Sequence, residues 1–404
     1  MLRSASIGAK SEMPSSSGPH RALLAQRLPP CRGLISRRSL LAAASSGIAS
    51  LVSSRAAPTP PKPANRLVLI TIGGIRRQES FSNQGIVYVP RLFNDLLPQA
   101  LFYPWTVNNG VTSHFNTIAS ILTGVWQHVD DWGGQMPANP GLFEYLRSQR
   151  HPGPGGDWVV TSNKQLTANI SKETNVVLSK QLLIEAVERI LLGESRRISL
   201  DRQQLLDEMR SVLETDYERI GWGASSPSEF QDAAVRDTFL TALTNFIQGP
   251  GAPVTGDELT FLIGREVLQR IAPTMLMMNF SDVEVAHAGS YALHLAGVRR
   301  ADSLCQRMWA FIESNPLLRG RTALVIMNEF GRDPDGSRTN GFFNHRTNTE
   351  CCRMAWSMVL GPVVARPQVI DRVVEQIDMA PSIGSWLGVT CDQARGAQLP
   401  ELAV

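Results

Sequence analysis

Five short, almost unbroken apolar runs constrain most strongly what this 404-residue chain can fold into. Arg66–Ile72 ends on Gly73-Gly74, Trp158–Thr161 on Ser162-Asn163, and Thr274–Phe280 on Ser281-Asp282. Thr322–Met327 ends on Asn328-Glu329, and Ser357–Leu360 on Gly361-Pro362. Runs of this kind suit strands buried on both faces of a parallel sheet. Helical segments separate them, which predicts an α/β fold: a three-layer sandwich whose central, mainly parallel sheet is flanked by helices. In such sheets function gathers at the carboxyl edge of the strands. The Gly and polar residues that close the five runs are therefore the first places to look for chemistry.

The segment before the first run differs in kind. Residues 1–57 carry Arg3, Lys10, Arg21, Arg27, Arg32, Arg37, Arg38 and Arg55 against the single acid Glu12. That excess is larger than the whole-chain formal charge of +3, so the remainder is net acidic. A net acidic domain offers no electrostatic case for a nucleic-acid partner. Ser36-Arg37-Arg38-Ser39-Leu40-Leu41 precedes the small and apolar run 42–52, then Ser54-Arg55-Ala56-Ala57. This is the layout of a signal peptide, and the paired Arg resembles a twin-arginine signal. It predicts a periplasmic or secreted protein, with an organellar transit peptide or a retained anchor as the competing readings. A Pro-rich linker follows at 58–64, then one domain over 65–404. No other stretch reaches ~18 uninterrupted apolar residues, so no stable membrane span is expected after signal cleavage. Of the five Cys, Cys31 lies in the leader, and Cys305, Cys351, Cys352 and Cys391 show no C-x-x-C spacing, which argues against a structural zinc site. Disulfide pairing and oligomeric state stay open at this level.

The stretch 164–262 reads as a helical insertion. Lys180–Leu192 has helical periodicity, Leu206, Met209, Leu213, Tyr217 and Ile220 recur on one helical face, and Ala233–Ile247 resumes the pattern. Its two roles are a cap over the active edge or further cover for the core. The chain has no G-x-x-x-x-G-K-[ST], no G-x-S-x-G and no H-E-x-x-H, which removes P-loop, hydrolase-elbow and zincin readings.

Three constellations carry chemistry. Asp282 and His287 follow the third run; five residues span roughly 140° on a helix, so they converge on one cation only if a loop holds them. Carboxylate plus imidazole suits Zn²⁺ or a similar ion, with His345 of the loop Gly341–Arg346 as the third ligand. The fourth run delivers Glu329 in Asn328-Glu329-Phe330-Gly331-Arg332, where the plain alternative is a Glu329–Arg332 ion pair with His345 on the surface. Asn108–Asn116 is a polar turn that opens a short helix ending near Gly124. Thr112, Ser113, His114 and Asn116 stand there at the positive end of a helix dipole, which favours an anion or a nucleophile; ordinary capping by Thr112 or Ser113 is the alternative.

In order, these segments resemble the alkaline phosphatase superfamily, which includes sulfatases and phosphodiesterases. Leu69–Arg76 resembles the first metal-binding strand and Ala119–Gly124 the end of the nucleophile helix. Asp282–His287 resembles the metal-binding Asp–His step, Glu329–Pro334 with His345 the later metal-binding loop, and Gln376–Ile383 with Leu387–Val389 the C-terminal segment. The resemblance implies an exported, metal-assisted hydrolase or transferase acting on a small-molecule phosphate or sulfate ester. It implies one divalent ion, Zn by its ligand set, on Asp282, His287 and His345. Ser113 or His114 attacks or positions water, with Glu329 as a ligand or base, and Thr112, Asn116 and Arg332 bind substrate. Two positions depart from the pattern: the first-strand Asp falls on Gly73, and the Asp and His of the fourth segment fall on Glu329 and Phe330. No Cys stands in a Cys-x-Pro-x-Arg context, which disfavours a formylglycine sulfatase. These departures keep a second function open, a catalytically degenerate relative acting as a periplasmic binding or scaffold protein.

Overall fold

The computed structural model describes residues 64–402, apart from 131–134, 154, 164–165, 167–173, 193–232, 249–254 and 337–340. The leader, the linker residues 58–63 and the helical face expected over 206–220 lie outside the described residues. All five apolar runs are strands of one sheet: β1 (Arg66–Ile72), β3 (Asp157–Thr161), β5 (Met275–Phe280), β6 (Thr322–Asn328) and β7 (Met354–Leu360). The sheet also holds β2 (Leu101–Val107), β4 (Asn175–Leu178), β8 (Gln368–Val369) and β9 (Val374–Glu375), in the order β4-β3-β5-β1-β6-β7-β2-β8 with β9 beside β2. Strands β4, β3, β5, β1 and β6 run parallel, whereas β7 is antiparallel to both β6 and β2.

The direction of β7 corrects one expectation. Its closing Gly361 lies against Thr322 O at the start of β6, so that end is at the amino edge. The opposite end of β7 meets the loops of the carboxyl edge: Gly331 N donates to Cys352 O and Asn108 N to Arg353 O. The reason is the connection. Among the described residues of 329–353 there is no crossover helix, and a chain that returns at the same edge must enter the next strand reversed.

The pleat divides each central strand between two apolar layers. Val68, Ile70 and Ile72 face one and Leu67 and Leu69 the other; β5 and β6 alternate likewise. The first layer is closed by α3 (Ser179–Leu192), α4 (Ala233–Ile247), α5 (Gly256–Arg270) and α6 (Tyr291–Ser314), the second by α1 (His114–Thr123), α2 (Leu142–Arg150) and α8 (Met379–Leu387). The three-layer α/β sandwich is therefore what the chain forms. Within the stretch expected as an insertion, β4 joins the sheet and Leu182, Ala186, Phe239, Leu243 and Leu259 pack into the first layer. These described parts cover the core. A four-residue helix, α7 (Glu350–Arg353), precedes β7.

Candidate functional site: a buried imidazole–carboxylate cluster

Adjacent strands β5, β1 and β6 end at one place, and their last residues and following turns build the site. Beyond Phe280 the chain winds into a 3-10 helix, Asp282–Ala288, closed by Gly289 at φ 82°. In a 3-10 helix side chains at i and i+3 eclipse, so Glu284 and His287 project together and Asp282 does not share their direction. Beyond Asn328, Glu329 points back under the sheet edge. Its Oε1 accepts from Asn279 Nδ2 at 2.7 Å, and the same amide donates to Thr71 Oγ1 at 2.9 Å.

Helix α1 enters from the other side. Ser113 is its extended N-cap, Gly124 at φ 69° its left-handed end, and all ten residues of the helix are buried. His114, the first helical residue, inserts its ring between two carboxylates: Nδ1 is 2.6 Å from Glu329 Oε2, and Nε2 is 3.3 Å from Glu284 Oε2. His345 Nδ1 donates to Thr112 O at 2.7 Å, which leaves the lone pair of the neutral ring on Nε2, 2.9 Å from His287 Nε2. Thus His114, Glu284, His287 and His345 each offer one atom, all within 4.8 Å of one another. Glu284 Oε2 is their common neighbour, 3.1 Å from His287 Nε2 and 3.7 Å from His345 Nε2.

Charge in this space is tightly compensated. Arg332 Nη2 lies 2.6 Å from Glu284 Oε2, and both side chains are buried. Burial by itself raises the Glu284 carboxyl, but the Arg332 guanidinium and then His114 outweigh it and hold the group well below the usual carboxylate range. Burial lowers His114, yet Glu284 and then Glu329 push its pKa up to about 10. His345 is held well below the ordinary imidazole value by burial, against the attraction of Glu284. His287 is lowered by burial too.

The donor set fits a divalent cation. His114 Nε2 and Glu284 Oε2 are buried and lie 3.3 Å apart as an ion pair without hydrogen-bond geometry, an arrangement in which a cation could take up the carboxylate oxygen. The outer contacts match those of metal-bound imidazoles, which donate the second ring nitrogen to a carbonyl or carboxylate: His345 does so to Thr112 O and His114 to Glu329. Imidazole plus carboxylate is a donor set for Zn²⁺ and its neighbours in the first transition row.

Of the residues expected at the site, His114, His287, Glu329, Arg332 and His345 come together. Asp282 does not. Its Oδ2 pairs with Arg300 Nη1 at 2.9 Å and accepts from Asp257 N at 3.3 Å, so the carboxylate brought to the imidazoles is Glu284, two residues further on. The expected signal was present: Glu-x-x-His is an i, i+3 pair, and only the assumption of an open loop favoured Asp282. Ser113 Oγ accepts from Asn116 Nδ2 at 2.8 Å, and Asn116 Oδ1 accepts from Val129 N at 2.7 Å. The Asn116 amide ties α1 to the loop at Val129, and neither residue contributes an atom to the cluster. Thr112 Oγ1 donates to His345 O and, at 3.2 Å, to Asn348 Oδ1, which clamps the His345 loop. Arg332 pairs with Glu284 and not Glu329, and His345 is fully buried instead of lying on the surface. Phe330 stacks on His345 with centroids 4.2 Å apart and packs on His114 at 4.9 Å.

Fold and site define a three-layer α/β protein with a buried three-histidine, one-glutamate centre at the carboxyl edge of its sheet. Solved structures similar to this chain include a phosphonate monoester hydrolase of Agrobacterium radiobacter, at 12% identity over 83% of this chain and 77% of that one, with a TM-score of 0.48. A protein in the alkaline phosphatase superfamily from Vibrio parahaemolyticus is similar at 12% identity over 88% of this chain and 76% of that one, TM-score 0.45. The PsFucS1 sulfatase from Pseudoalteromonas sp. is similar at 10% identity over 91% and 74%, TM-score 0.46. No protein-family model and no curated protein sequence matches the chain. At these identities and scores the chemistry has to be read from the side chains of this chain itself.

Proposed function

We propose that this chain is an exported, metal-assisted hydrolase or transferase of a small-molecule phosphate or sulfate ester. One observation carries the proposal: Glu284 Oε2 and one ring nitrogen each of His114, His287 and His345 converge at the sheet edge, all within 4.8 Å of one another. Glu284, His287 and His345 would hold one divalent ion, zinc by its donor chemistry, and three protein ligands leave a position open for substrate or water. Such an ion supplies Lewis-acid polarisation of an ester oxygen and stabilises the leaving group.

The remaining steps belong to the chain. His114 takes the nucleophile side that the sequence left between it and Ser113, because Ser113 Oγ is engaged by Asn116. Glu329, anchored by Asn279, fixes the Nδ1 side of the His114 ring and turns Nε2 to the cluster. Neutralising Glu284 removes the larger of the two carboxylate attractions that hold the His114 proton. His114 Nε2 is then placed to exchange a proton with an attacking water. Export rests on the twin-arginine layout of residues 36–57, and among the described residues no helix is long and apolar enough to cross a membrane.

A second reading, a catalytically silent binding or scaffold protein, is favoured by Phe330 and Gly73. A phenyl ring and a hydrogen stand where a second ion would need donors, and one charge of the usual in-line clamp is then missing. Metal analysis of the natively purified protein, with assays on phosphate monoesters, phosphate diesters and sulfate esters, separates the two. Bound zinc and turnover abolished by His287→Ala support the hydrolase. Absence of turnover on all three ester classes supports the silent relative.

A further inference from the structure

The two segments that carry His287 and His345 also carry aromatic rings. Tyr291 opens α6 four residues after His287, and Phe342 and Phe343 stand three and two residues before His345. The rings touch in series. Tyr291 stacks on the buried His294 ring with centroids 6.2 Å apart and meets Phe342 edge-on at 4.9 Å. Phe342 in turn meets Phe343 edge-on at 4.3 Å. Phe343 reaches across to the turn that ends the His287 helix, where its Cζ lies 3.5 Å from the position a Cβ on Gly289 would take.

What this row turns outward is carbon. Tyr291 and Phe343 each keep 38% of their exposure. The Tyr291 hydroxyl donates to Oε1 of the fully buried Glu79 at 3.2 Å, so the polar end of that ring points inward. Arg76, 5.9 Å from the Phe342 centroid, is already paired with Glu79 and Asp335, so its charge is not offered to an anion on this face. Ala288 and Gly289, the exposed residues between His287 and Ser290, add no polar side chain. Rings braced by one another lose little freedom when a ligand lands on them.

We propose that Phe343 and Tyr291, braced by Phe342, form a specificity face that selects esters whose organic half is apolar and flat. The inference rests on the ion-centred reading above and adds to it the chemistry of the group that stays outside the cluster. Position selects this occupant. The His287 side chain keeps 15% of its exposure and that of His345 keeps none, so a ligand that reaches the cluster on the His287 side has the Gly289 turn and the Phe343 ring as its neighbours. A flat apolar group gains ring contact there. A sugar or another hydroxyl-rich group would set polar atoms against carbon without partners.

Calorimetric titration of the zinc-loaded wild-type protein with phenylphosphonate against methylphosphonate, and with benzenesulfonate against methanesulfonate, tests it without requiring turnover. In at least one pair the phenyl compound should bind about tenfold more tightly than the methyl one. Phe343→Ala should bring that ratio below about threefold, and Phe343→Leu, which keeps an apolar but not a flat side chain, should give an intermediate value. If Phe343→Ala does not fold, the wild-type ratios and Phe343→Leu decide. Equal binding of phenyl and methyl compounds, or a preference that Phe343→Ala leaves intact, overturns the specificity face and leaves the ion-centred reading standing. So does a dimer seen by sedimentation that Phe343→Ala dissolves while the ratio stays at one, which assigns the face to a second copy of the chain. Failure of the protein to load zinc, or of every probe to bind the loaded protein, overturns the ion-centred reading itself and the face with it.

Discussion

A side chain on Gly73 would overlap Glu284 Oε1. The residue that closes β1 carries no Cβ, and the carboxylate delivered from the turn after β5 fills the vacated space, where Gly74 N donates to it at 2.7 Å. Gly73→Ala should displace Glu284, break this bond and destabilise the fold by about 1–3 kcal/mol, the usual cost of overpacking a tight site. Zinc affinity should fall at least tenfold. Urea unfolding and calorimetry check the two effects, and an unchanged zinc affinity would remove Glu284 from the ion site.

Asp282 and Glu284 should behave oppositely. Glu284→Gln removes the charge at the centre of the cluster, so zinc retention after dialysis should be lost. Asp282→Asn alters only the contacts to Arg300 and Asp257, and zinc retention should stay within about twofold of wild type, with a stability cost on the order of 1 kcal/mol for the lost ion pair. Reversal of this order would restore Asp282 as the ligand.

The metal-free protein should lose stability as the pH rises above neutrality. His114 is raised from an ordinary imidazole value to about 10 by Glu284 and Glu329, so the folded state holds a proton that the unfolded chain releases. The stabilisation is complete below about pH 6.5 and declines toward pH 10. On the acid side the lowered His345 works the other way, because unfolding takes up protons there and stability rises with pH. Chemical denaturation between pH 7 and 9, before buried thiols and phenols titrate, should show a falling midpoint that flattens in His114→Gln. The His114 proton and a zinc ion are both drawn by Glu284, so loss of that proton should raise the apparent zinc affinity over that window.

Asn279 supports the site without belonging to it. Its amide donates to both Thr71 Oγ1 and Glu329 Oε1 inside the sheet. Asn279→Asp would set a carboxylate against the buried Glu329, and should cost about 3–5 kcal/mol by leaving a buried charge without compensation. Asn279→Gln, which keeps the donor but lengthens the arm, should cost less. Thermal unfolding of the two variants gives the ordering.

The strands were legible because burial on both faces leaves a mark that needs no context: Leu67–Ile72 is apolar apart from Thr71, Leu324–Met327 is apolar at every position, and both end in residues suited to turns. Strand β2 escaped notice because Pro104 interrupts it. The structure accommodates that proline where the pairing with β7 shifts between Tyr103 and Thr106, a place where the ladder does not need its N–H. The two-residue strands β8 and β9 leave too short a pattern to read.

Composition and order along the chain determined by themselves that a mainly parallel sheet would carry His287, Glu329, Arg332 and His345 on loops at strand ends. Only the tertiary structure decided which neighbours join them. The direction of β7 depends on a connection that stays at one edge, and a strand buried on both faces reads alike both ways. The choice of Glu284 over Asp282, and of His114 over Ser113, depends on the phase of a single helical turn. One residue of phase rotates a side chain by about 100° on a helix, and nothing in the identity of the residues reports that angle until the turn is packed against its neighbours.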